Sequence, residues 1–217
     1  MAGAVWESDQ AAVVAFRGTD PWSLRDWLRD AETRLQDFHA NPDLGKVHGG
    51  FVKALGSLGK PLTDALALPS VHGKPLWVTG HSLGGAMAVL FAARRTLLEN
   101  LPVHGLYTFG QPRVGDPVFA RAVDNSALGG RYFTIINGND PAPHCPTRRR
   151  YADCGTSLQI DASGRLRDGL SPAGRWLQTL IIARRYLQSA GPDAIWAHAR
   201  TAYSTAMADN IDFVPRS

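Results

Sequence analysis

Residues 75–98, PLWVTGHSLGGAMAVLFAARRTLL, decide how this chain folds. Residues 75–79 are a short apolar run that ends at Gly80, as a buried strand would. From Leu83 to Leu98 the chain is rich in Ala, Leu and Met, which are good helix formers. Between them Gly80-His81-Ser82-Leu83-Gly84-Gly85 must turn a strand into a helix within a few residues. That hexapeptide fits the G-x-S-x-G pattern, in which a serine sits in a strained backbone conformation at a sharp strand-to-helix turn. The glycines two residues either side leave room for strand and helix to approach each other. The helix also directs its first amides at the serine, so the Leu83 N–H can stabilise an oxyanion formed beside Ser82. A Gly-rich turn with an incidental serine shares these six residues; the flanking strand and helix favour the reactive reading.

The alternation continues on both sides. Residues 5–16 read as a short strand, a Ser8-Asp9-Gln10 turn and a better strand, so a hairpin opens the chain. Leu24, Trp27, Leu28, Ala31 and Leu35 recur at helical spacing within residues 23–35. Downstream, residues 103–109 and 131–136 read as strands separated by a helix over 117–125. Strands alternating with helices predict an α/β fold with a mostly parallel central sheet and helices on both faces. Residues 150–160 offer one more strand. Ser171-Pro172 is a good N-cap and first-turn pair for a helix through Trp176, Leu177, Leu180 and Ile181, and a last helix is expected over 195–207. No repeat, low-complexity tract or linker divides the 217 residues, so one domain over 1–217 is expected.

Composition narrows the class. With 44% hydrophobic and 19% charged residues the chain has a globular rather than a disordered balance. A formal charge of +4 is too small, without a Lys/Arg stripe, to indicate a nucleic-acid partner. Residues 1–10 reach Glu7 and Asp9 before any signal-like apolar core, and no later run is long enough to span a bilayer. The chain as given is expected to be soluble, without a stable membrane anchor, and cytoplasmic unless a leader precedes it. Cys145 and Cys154 are too few for a disulfide framework or a zinc site, which favours free thiols over one disulfide. Neither a metal nor a cofactor is implied.

A serine hydroxyl is a weak nucleophile until a base takes its proton and an acid orients that base, in this fold in the order Ser, Asp or Glu, His. Asp140 follows the 131–136 strand, at the carboxyl edge where catalytic loops of parallel sheets gather. Asp116, Asp124 and Asp153 read instead as capping or solvated residues. Two histidines remain for the base. His144 is only four residues past Asp140, whereas His198 comes from a separate, later segment and can approach Ser82 while Asp140 approaches its far ring nitrogen; His198 is preferred. A second oxyanion donor should follow an earlier strand, and the Thr19 N–H, after Phe16-Arg17-Gly18, is the candidate.

Taken together, AFRGTD (15–20), WLRD (27–30), VHGGF (47–51), TGHSLGGAMA (79–88), TFGQPRVGD (108–116), NDPAP (139–143) and His198 followed by Tyr203 resemble the class 3 lipases. This α/β-hydrolase family of fungal-type triacylglycerol lipases also includes feruloyl esterases and plant phospholipases of the A1 type. By position the resemblance implies a triad of Ser82, Asp140 and His198, with Thr19 and Leu83 as oxyanion donors and no cofactor. The chain departs from the family in having only fifteen residues before Phe16, from which a fold reduced at the N-terminus is expected: a smaller sheet, a more open acyl site, or a truncated chain. Asp116 stands where the family often has Asn, and Cys145 where it often has an aliphatic residue.

The expected activity is hydrolysis of carboxylic esters, acylglycerols foremost, through an acyl-enzyme. The alternative is an esterase or phospholipase A1 on small or anionic esters, with Arg148-Arg149-Arg150 near a headgroup. A catalytically idle binding module is disfavoured because all three triad positions are filled. Within residues 20–30, Trp22, Leu24, Trp27 and Leu28 would form the apolar side of a lid over Ser82, in transient contact with lipid interfaces.

Overall fold

Strands form where apolar residues alternate between two covered faces. The computed structural model describes residues 2–18, 35–138, 140–169, 199–210 and 212. The expected opening hairpin is present: β1 (Ala2–Glu7) pairs antiparallel with β2 (Ala12–Arg17), and Ser8 accepts from the turn amides of Gln10 and Ala11. A second hairpin joins β3 (Leu35–Phe38) to β4 (Asn41–His48). Two short helices follow, α1 (Gly49–Gly56) and α2 (Gly59–Leu66). Next come β5 (Leu76–His81), α3 (Leu83–Leu97), β6 (Gly105–Phe109), α4 (Pro117–Asp124) and β7 (Tyr132–Asn137). The described elements end with β8 (Thr156–Ile160), β9 (Leu166–Asp168) and α5 (Arg200–Asp209).

Among the described residues the main sheet runs β1-β2-β5-β6-β7-β8-β9. Its five middle strands are parallel, and β1 and β9 close its edges antiparallel. Period-two alternation separates two cores. On one face Val14, Phe16, Val78, Leu106 and Tyr132 pack with Phe51 of α1 and Met87, Leu90 and Phe91 of α3. The opposite face carries Tyr107, Phe109, Phe133 and Ile135, covered by Tyr203 and Ala206 of α5. Helix α3 is buried without interruption from Leu83 to Ala93, which explains why its sequence is apolar all round rather than on one stripe.

Two boundaries differ from expectation. Only residues 156–160 of the 150–160 stretch join the main sheet; Ala152 instead bridges Gly115. The last described helix begins at Arg200, because Ala199 is extended (φ −61°, ψ 140°) and serves as its N-cap; residues 195–198 of the expected helix lie outside the described residues. At its other end it runs past Met207 to Asp209, where the Asn210 amide donates to the Ala206 carbonyl at 2.7 Å and the Gly164 carbonyl at 2.8 Å. The helix expected after Ser171 lies outside the described residues.

Candidate active site

The elbow forms because three small residues let three elements converge. A Cβ on Gly80 would lie 2.3 Å from the Gly84 carbonyl oxygen, and one on Gly84 would lie 2.1 Å from that of Phe16 in β2. Only glycine permits that approach. Between them Ser82 adopts φ 58°, ψ −128°, a region that L-residues avoid, and stands as N-cap of α3. Its N–H donates to the Phe109 carbonyl at 2.9 Å, tying the elbow to β6. The Ser82 side chain is fully buried, and its Oγ has no hydrogen-bond partner among the described residues. Leu83 opens α3, so its amide is one of the free N–H groups at the positive end of the helix.

Gly18 packs directly on this turn: a Cβ there would lie 2.5 Å from the His81 carbonyl oxygen and 3.2 Å from the Ser82 Cβ. The loop leaving β2 is therefore in contact with the serine. Thr19 itself, the lid segment with Trp22, Leu24, Trp27 and Leu28, and His198 lie outside the described residues.

Asp140 follows β7 by three residues and is fully buried. Its Oδ1 accepts from the Ala142 N–H at 2.8 Å and its Oδ2 from the Tyr203 hydroxyl at 2.5 Å. The Tyr203 oxygen in turn accepts from the Asn137 N–H at 3.0 Å. Burial first, and then the Asp140 charge, push the Tyr203 phenol well above its ordinary pKa, so it remains a donor. The same ring lies 5.5 Å from that of His81, beside the serine. From α5, Tyr203 thus joins the elbow to Asp140. The sequence reading gave it no role; the signal was a tyrosine on a helix face, whose hydroxyl must find a partner once buried.

The rival acids have other work. Asp116 caps α4 through the Phe119 N–H at 2.9 Å, and Asp124 accepts from the Gly155 N–H at 2.7 Å. Asp153 binds the Arg113 Nε at 2.5 Å and also Arg148. The rival base His144 lines a recess with Arg113, Asp153, Ser157 and Gln159, and Ser82 is not among its walls. Burial, followed by the Arg113 charge, brings its pKa down to about 4, so it is a poor proton acceptor at neutral pH. Neither cysteine is in a disulfide, and burial drives the Cys154 thiol up to about 12, far from a reactive thiolate.

The family model for lipase (class 3) matches residues 13–150. The chain belongs to the class 3 lipase family. It is 36% identical over 147 residues to a lipase of Rhizomucor miehei, covering 64% of this chain and 39% of that protein. With triacylglycerol lipase OBL1 of Arabidopsis thaliana it shares 32% over 179 residues, covering 62% of this chain and 34% of that one. The chain therefore spans little more than a third of the length of these two curated relatives. Among solved structures, the Rhizomucor miehei triacylglyceride lipase superposes with a TM-score of 0.64 at 31% identity, over 74% of this chain and 62% of that one. The lipase of Rhizopus microsporus var. chinensis gives 0.61 at 29%, over 73% and 56%. The fold is that of the α/β-hydrolases, as the resemblance implied.

Proposed function

We propose that this class 3 lipase domain hydrolyses carboxylic esters of lipids, acylglycerols foremost, through an acyl-enzyme on Ser82. The observation that carries this reading is the strained, fully buried Ser82 at the N-terminus of α3, beside the loop that leaves β2. In the proposed cycle His198 takes the Ser82 proton as Oγ attacks the ester carbonyl, and Asp140 holds the imidazole in the required tautomer. The Leu83 and Thr19 amides stabilise the oxyanion. Collapse expels the alcohol, which leaves with the proton from His198. Water, activated by the same base, then releases the fatty acid.

The lipase names of the relatives support a lipid ester as substrate. The apolar residues at helical spacing within residues 20–30 support a lid, whose Trp22, Leu24, Trp27 and Leu28 would meet a lipid interface when open. A fluorophosphonate probe should label Ser82, with activity screened on p-nitrophenyl esters, emulsified triglyceride and phospholipid. Labelling of another serine, or hydrolysis of none of these esters by the labelled protein's parent, overturns the reading. His198→Ala should cost about as much as Ser82→Ala, on the order of 10⁴-fold in kcat, and His144→Ala little, because triad members act as a unit.

One observation favours anionic esters as a second substrate class. Arg148 is engaged by Asp153, while the exposed Arg149 and Arg150 line a recess of about 300 Å³ with Thr147 and Tyr151. Guanidinium groups so placed suit a phosphate headgroup. Arg149→Glu with Arg150→Glu should then depress phospholipid hydrolysis selectively; an equal effect on triglyceride excludes this class.

A further inference from the structure

The segment Gln111-Pro112-Arg113-Val114 belongs to the stretch that resembles the family, yet no step of the proposed reaction uses it. Arg113 is only 3% exposed. Its Nη1 donates to the His144 carbonyl at 2.5 Å and the Pro146 carbonyl at 2.7 Å, and its backbone N–H donates to the Cys145 carbonyl at 2.8 Å. One residue therefore holds three consecutive carbonyls of the loop that begins at Asp140. Its Nε is anchored on Asp153 at 2.5 Å.

A buried guanidinium is costly unless its charge is paired and its donors are occupied. Here the charge is met by Asp153, and the donors go to the acid's own loop. The planar fork suits this spread of acceptors in a way a lysine's point charge does not. The loop in turn sets the carboxylate, because the Ala142 N–H lies between Asp140 and the clamped carbonyls and fixes Oδ1. A shift of residues 144–146 would carry that amide with it and rotate Asp140 about the Tyr203 bond.

We infer that Arg113 is a positioning residue for the catalytic acid, clamping residues 144–146 so that the Asp140 carboxylate keeps its aim at the base. The inference rests on the triad reading and deepens it. Arg113 touches neither substrate nor reacting atoms; it acts through Asp140.

The test uses a soluble ester, well below each variant's unfolding temperature. Arg113→Met should lower kcat by about tenfold to a hundredfold with KM little changed, the scale of a misplaced catalytic group. The pH profile separates positioning from general weakening. A carboxylate beside an imidazole raises the imidazole's pKa, so an acid that has turned away leaves the base titrating at lower pH. The acid limb of kcat/KM should move down, in the same direction as in Asp140→Asn, and Arg113→Lys should restore part of both effects. Should Arg113→Met not fold, Asp153→Asn removes the anchor and should give the same limb shift with a smaller loss of kcat. Wild-type kcat and limb in Arg113→Lys and Asp153→Asn alike, or a loss of kcat with no limb shift, overturns the clamp. Activity that survives Ser82→Ala overturns the triad reading instead.

Discussion

Among the described residues, non-glycine residues stand at positive φ at the elbow, at the tip of the β3–β4 hairpin and at Asn100 after α3, and the first two of these turns differ in what surrounds them. At the elbow, Ser82 (φ 58°) is buried, hydrogen-bonded to β6 and wedged between Gly80, Gly84 and Gly18. At the tip of the β3–β4 hairpin, His39 (φ 50°) and Ala40 (φ 56°) are exposed. The elbow is over-determined by packing from three elements, so its strain persists whatever the side chain prefers. The hairpin tip is set by its own two residues and the strands either side. The first turn is where a reactive group can be held against its preference; the second is an ordinary place for strain to be removed.

The largest effect should come from the elbow itself. Ser82→Ala and Ser82→Gly should both lower esterase activity by about 10⁴-fold or more, since either removes the nucleophile. Their stabilities should differ. Alanine keeps the Cβ that makes φ 58° unfavourable, whereas glycine relieves it, and a gain of about 1 kcal/mol should remain after glycine's greater unfolded-state entropy is set against it. Denaturant midpoints at constant slope would measure this. A glycine variant no more stable than the alanine variant would show that no strain resides at Ser82.

The next effect is on folding. Alanine is a better helix former than glycine by about 1 kcal/mol, so propensity alone predicts that Gly84→Ala stabilises α3. Packing predicts the reverse, because the new Cβ would sit 2.1 Å from the Phe16 carbonyl oxygen, on backbone that cannot swing aside. Overpacking of this kind costs about 1–3 kcal/mol or more. A clear fall in the unfolding midpoint is expected; a rise would mean that β2 and α3 approach less closely than the elbow requires.

What the sequence revealed follows the same division. The elbow was legible because its strand, glycines, serine and helix are contiguous, and the place of Asp140 at the carboxyl end of β7 because it follows a strand in a parallel array. Tyr203 and Arg113 were not, because their partners are distant: Tyr203 meets Asp140 across 63 positions, and Arg113 meets Asp153 across 40. Helix α1 escaped detection for a local reason. It opens on Gly49-Gly50, poor helix formers, and is nucleated by the His48 Nδ1 accepting from the Gly50 N–H at 3.1 Å and by burial of Phe51 and Ala54. The 195–207 pattern missed the extended Ala199 because an alanine gives no boundary signal.

The smallest effect should come from the hairpin. Phe38 pairs with Asn41, so His39 and Ala40 form a two-residue loop with both φ positive. Type I′ turns have that geometry and favour Asn-Gly. A non-glycine residue in the left-handed region costs about 1–2 kcal/mol, and glycine gives back about 0.5–1 through its unfolded-state entropy. Ala40→Gly should therefore stabilise by about 0.5 kcal/mol. His39→Asn should be near neutral, since asparagine tolerates the left-handed region but loses the edge contact of the imidazole with Phe38, 4.9 Å between ring centroids. Esterase activity should not change in either variant, because none of the proposed catalytic groups belongs to this hairpin. Destabilisation by Ala40→Gly would mean that the tip, like the elbow, is held by its surroundings, and the contrast between the two turns would fail at its weaker end.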